Sequence, residues 1–178
     1  LNVLTVSTVS FAGALAAAAV AAVAAVWDAR TMTIPNWLTY PAMLLGLLLG
    51  AASGRAVPAA ETLGVCFFAG FFLWTLGVFA EGDAKLFAAL GPLGGADAAF
   101  LGLALGCGLL LAAVVPMRVR RAGLRRWLAE EKKALFFILL GGRLRQEDVP
   151  SGFDPVPFGP FLCAGFVAAS VLLGLGVV

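Results

Sequence analysis

Long runs without charge, separated by short polar breaks, set the pattern of this chain. No charged residue occurs from Val3 to Val26, and the run exceeds the roughly 20 residues that cross a bilayer core as helix. A first transmembrane helix is predicted there. A secretory signal is the alternative, opposed by the missing basic n-region and by the length of the run. Asp28 to Asn36 reads as a polar hairpin, and Pro35 is placed where a helix starts without forfeiting an internal hydrogen bond. Trp37 to Ala52 is the second predicted span, with Trp37 and Tyr40 at the interface. Ser53 to Ala60 is a turn, and Thr62 to Ala80 is a phenylalanine-rich third span ending at the polar break Glu81 to Lys85.

Beyond that break, Leu86 to Leu93 is short for a crossing and is punctuated by Gly91-Pro92 and Gly94-Gly95. A short, tilted or partly re-entrant span is expected, since irregular backbone at membrane depth must be satisfied by protein or water. Asp97 is placed as the cap of the next span, Ala98 to Val115. Gly102, Gly106 and Gly108 would let a neighbouring helix approach it closely. The last run, Phe158 to Val178, opens with Pro157-Phe158-Gly159-Pro160 and makes the final span. The expected fold is all-α: a polytopic membrane protein of about six transmembrane helices, forming a single domain over residues 1–178. Composition agrees, because 62% of residues are hydrophobic and 12% charged, with a mean hydropathy of +1.02, where a soluble domain carries about 25% charge.

Charge distribution orients the spans. Nine of the twelve Lys and Arg residues fall between Met117 and Pro157, which makes 117–157 a basic cytoplasmic loop by the positive-inside rule. Leu124, Leu128 and Leu135 form a narrow stripe suited to the headgroup region, with anionic lipid as the partner; a topology determinant with no partner of its own fits equally. Threading back through six crossings puts the Asp28 hairpin and the Asp83 break on the same cytoplasmic face, with both chain ends outside.

Carboxylates beside or inside bilayer spans are costly and therefore mark candidate sites. Two carboxylates a few ångströms apart hold one proton between them, supplying an acid and a base at once. A water between them can then attack an amide carbonyl. The chain has no histidine, so Ser-His and Cys-His arrangements are excluded and the acid pair is the hydrolytic apparatus at hand. Cys66, Cys107 and Cys163 stand far apart in apolar surroundings and suggest neither a metal site nor a disulfide; no cofactor is expected. The opposing reading is that Asp28 and Asp83 are solvated helix caps. Arg30 and Lys85 each follow an aspartate by two residues, a spacing that turns them to another helix face, where snorkelling to lipid phosphate suits them. The macrodipoles of the helix ending at Asp28 and of the one opening at Asp83 would make Asp28 the acid and Asp83 the base, with Glu81 acting against that assignment.

Asp28-Ala29-Arg30-Thr31-Met32-Thr33-Ile34-Pro35-Asn36, then Gly82-Asp83-Ala84-Lys85-Leu86, then Pro157-Phe158-Gly159-Pro160-Phe161 resemble, in order and spacing, the type IV prepilin peptidases, a family of GxGD-type membrane aspartic proteases. The resemblance implies removal of a short basic leader from type IV pilin-like precursors at the cytoplasmic face of the bacterial inner membrane, usually after a glycine preceding the hydrophobic segment. It assigns the two catalytic aspartates to Asp28 and Asp83, with Gly82, Lys85, Arg30, Pro35 and Asn36 as supporting residues. The family's Gly-x-Gly-Asp signature reads Ala80-Glu81-Gly82-Asp83 here. The chain is similar to the short form, since nothing matches the Cys-x-x-Cys segment linked to N-methylation in long forms. Expected partners are pilin-like precursors and membrane lipid, and no nucleic acid. Two other classes fit the same residues: a small transporter or channel with intramembrane carboxylates, and a non-catalytic pilus or secretion assembly subunit.

Overall fold

The computed structural model describes residues 3–125, 128–129, 132 and 156–175, with side chains described from residue 12 onward. Six helices run through them: α1 (Val3–Thr31), α2 (Asn36–Ala52), α3 (Ala56–Thr75), α4 (Glu81–Gly94), α5 (Ala96–Ala122) and α6 (Gly159–Gly174). No strand occurs among the described residues. Segments Ala12–Thr31, Ala56–Thr75 and Ala96–Arg121 are long and apolar enough to cross a membrane, while α2 and α6 are shorter apolar helices. The chain is an all-helical membrane protein.

The shortest helix lies at the centre. At 14 residues, α4 is about 21 Å long at 1.5 Å per residue, less than a hydrocarbon core of about 30 Å. It packs against α1, α2, α3 and α5, and Leu86, Phe87, Ala88, Ala89 and Leu90 are fully buried. Its stretch Leu86 to Leu90 is therefore apolar on every side for reasons of protein packing. Pro92 stands in its last turn, and Gly95, at φ 95°, turns the chain directly into α5.

The broadest helix contact joins α5 and α6, and small residues create it. A β-carbon at Gly165 would lie 2.2 Å from the Gly102 carbonyl oxygen and 2.4 Å from the Gly106 nitrogen, and one at Gly102 would lie 2.6 Å from Phe166 Cα. The expected close approach thus holds for Gly102 and Gly106, whereas Gly108 faces open space. Gly165→Ala should destabilise the protein by about 1 to 3 kcal/mol, the usual cost of overpacking, and Gly108→Ala should not. Thermal melting of both variants in one detergent checks this; equal melting temperatures would refute the packing described.

Several boundaries differ from the hydropathy reading. α1 continues through Asp28 to Thr31, so Asp28 lies in the last helical turn and not in a hairpin. α3 begins at Ala56, because Pro58 in a first turn costs no hydrogen bond. It ends at Thr75, where Val78 and Phe79 N–H groups both turn back to the Leu73 carbonyl. Asp97 sits in the first turn of α5, while Gly95 occupies the cap position. α5 extends to Ala122, taking in the first residues of the basic segment; most of 117–157, Leu135 included, lies outside the described residues.

Candidate active site

Asp28 reaches the site from the end of α1, where Met32 N–H closes on the Asp28 carbonyl at 2.8 Å and Met32 itself adopts φ 54°. A left-handed conformation costs a residue with a β-carbon about 1 to 3 kcal/mol and persists only where its surroundings enforce it. The enforcement is visible on both sides. Trp27 and Trp37 meet edge-to-face at 5.6 Å across the loop, and Ile34 is buried against the start of α4. At Gly82 a β-carbon would fall 3.0 Å from Ile34 Cβ and 3.1 Å from its backbone nitrogen, so the glycine sets how closely loop and helix approach.

Asp83 reaches the same place from the first turn of α4. Asp28 is 5% exposed and Asp83 6%, although they are 55 positions apart in the chain (83 − 28). Both line one cavity of about 370 Å³ whose remaining wall is Met32 to Asn36, Ala80 to Gly82 and Lys85, and the two carboxyl groups repel each other electrostatically. Two like charges this secluded share a proton far more readily than they ionise together. The cavity has room for water and for a stretch of peptide.

A third element completes the site. The Gly159 N–H, in the first turn of α6, donates to Asp28 Oδ2 at 2.9 Å. A β-carbon on Gly159 would stand 2.7 Å from that same oxygen, so glycine is what admits the carboxylate to the helix end. This bond favours the unprotonated form of Oδ2, so Oδ1 is the better seat for a proton on Asp28. It also removes the basis for assigning acid and base from helix dipoles: Asp28 closes α1 but faces the N-terminus of α6, and Asp83 faces that of α4, so both carboxylates meet the positive end of a helix. Gly159 lies inside the Pro157-Phe158-Gly159-Pro160 stretch, but its role at the site is not legible there: the bond spans 131 positions, and no local pattern reports it.

The remaining predicted site residues divide. Lys85 donates to Asn36 Oδ1 at 2.9 Å, pairs with Glu81 one turn back, and stands 5.6 Å from the Tyr40 ring centre. It therefore ties α4 to α2 through Asn36 and Tyr40. Pro35 is the N-cap of α2 with extended backbone and lines the cavity with Asn36. Arg30 is exposed and stands outside the cavity wall.

The chain is thus an all-helical membrane protein with two buried carboxyl groups lining one cavity at helix ends. Residues 15–117 match the model of the type IV leader peptidase family; the chain belongs to that family and is a peptidase. The match covers both aspartates. Neither a search of curated proteins nor one of solved structures found a match.

Proposed function

We propose that this protein, as one domain over residues 1–178, removes the leader peptide from type IV pilin-like precursors at the cytoplasmic face of the bacterial inner membrane, with Asp28 and Asp83 as the catalytic pair. The observation that carries the proposal is the meeting of these two buried carboxyl groups in one cavity, inside the region that matches a peptidase family. The sidedness rests on the basic segment 117–157 and the positive-inside rule.

The chemistry follows from one shared proton. The ionised aspartate takes a proton from a water lying between the two groups, and the water oxygen bonds to the scissile carbonyl carbon. The protonated aspartate meanwhile donates to the carbonyl oxygen. Collapse of the tetrahedral intermediate breaks the C–N bond as the first aspartate returns its proton to the leaving amine and a hydroxyl of the intermediate returns its proton to the second aspartate, restoring the singly protonated pair. Gly159 holds Asp28 in place through Oδ2, leaving Oδ1 for the water. Lys85 and Asn36 keep the first turn of α4 against α2, which fixes Asp83.

The test is mass spectrometry of pilin-like precursors incubated with the protein in proteoliposomes. A pair of products summing to precursor plus water, cut once at the leader boundary, is expected. Intact precursors under conditions where the protein is folded would overturn the reading.

A further inference from the structure

We infer that a groove between α3 and α4 seats the apolar segment of the substrate that follows the scissile bond; this rests on the peptidase reading above. The groove, about 330 Å³, is lined by Phe67, Phe71, Trp74, Ala84, Glu81 and Lys85. Its floor is an aromatic ladder at helical spacing. Phe67 and Phe71 stack with centroids 6.4 Å apart at 12°, and Phe71 leans on Trp74 at 5.4 Å.

Continuity with the aspartate cavity singles this groove out from ordinary lipid-facing surface. Glu81 and Lys85 line both, so the groove adjoins the aspartate cavity across this pair, and a chain lying along the ladder is led to it. Charge at the junction selects the occupant. Of the pair, Glu81 is the outward member, its side chain 68% exposed against 17% for Lys85, whose ammonium is taken up by Glu81 and Asn36. A phospholipid would bring its phosphate toward that carboxylate, a repulsive placement, whereas a peptide with basic residues just ahead of an apolar stretch brings the complementary sign. Aromatic rings lose little side-chain entropy on docking and supply large contact area. The ladder would hold the apolar segment while Glu81 meets the basic side, placing the bond between them at the two aspartates.

The experiment compares two substrates, a full precursor in proteoliposomes and a soluble peptide that spans the cleavage site but lacks the apolar segment. Phe71→Ala and Trp74→Ala should each raise KM for the full precursor about tenfold, the scale of an aromatic anchor truncated at an interface, with kcat and peptide cleavage unchanged. Phe72→Ala, whose ring is exposed outside the groove, should change neither. Glu81→Gln should raise KM for both substrates, since both carry the basic side. As a measurement independent of catalysis, a photo-crosslinking residue in place of Phe71 should capture the apolar segment of the precursor, and one in place of Phe72 should not. Equal KM values for wild type and the ring variants, parallel loss on both substrates, or crosslinks only to lipid or to a second copy would overturn the groove while the peptidase reading stood. A wild-type protein that cleaved neither substrate would remove both.

Discussion

Asp28→Asn and Asp83→Asn are each expected to abolish precursor cleavage, a loss on the order of a thousandfold or more, because each removes one of the two groups that handle the proton. Asparagine is close in shape to aspartate and keeps a carbonyl oxygen, so in Asp28→Asn the Gly159 N–H retains an acceptor in place of Oδ2. The loss should therefore appear in kcat, with membrane insertion and melting temperature close to wild type. In the wild type, cleavage should follow a bell in pH. Below the lower limb both carboxyls are protonated and no base remains; above the upper limb both are ionised, no acid remains, and the repulsion between them is unrelieved. The two limbs belong to the pair and not to either residue. Processing near the wild-type rate by either well-folded variant would show that the pair is not the catalytic apparatus.

What could be read from the chain beforehand depended on whether its cause was local. Asp28 and Asp83 stood out because each interrupts an apolar run, and a charge in such a place is legible from composition alone. Pro35 marked the start of α2 to within a residue for the same kind of reason, since its ring constrains only its neighbours. The end of α1 was not legible. Hydropathy falls at Asp28, yet the helix runs on to Thr31, with the carboxylate held by α6, a contact that no local pattern reports.

Other features escaped for related reasons. The role of α4 is invisible in a segment too short for an ordinary span, because its burial comes from four other helices. Lys85 looks like any snorkelling lysine until Asn36, 49 positions away, is found beside it. The dipole argument for acid and base failed in the same way: it counted the helices that carry the aspartates and not the third helix aimed at one of them. Of the basic segment, the sequence states the charge, and its structure falls largely outside the described residues.

The contact between α6 and Asp28 leads to the second large effect. In Gly159→Ala the new β-carbon would meet Asp28 Oδ2 at 2.7 Å, Cγ at 3.1 Å and Cβ at 3.0 Å. The carboxylate cannot escape by rotating its tip alone, since Cβ is also too close, so Asp28 and the start of α6 must separate. A displacement of about 1 Å in a catalytic group costs on the order of a hundredfold in rate, and the N–H to Oδ2 bond lengthens with it. The expected result is cleavage reduced about a hundredfold in kcat, with modest change in KM because Gly159 does not line the cavity. Stability should fall less than for Gly165→Ala, where the new β-carbon would meet backbone atoms at 2.2 and 2.4 Å, closer than any approach at Gly159. Measuring kcat, KM and melting temperature for both glycine variants separates the two roles. A Gly159→Ala protein that cleaved at the wild-type rate would show that the approach of α6 does not position Asp28.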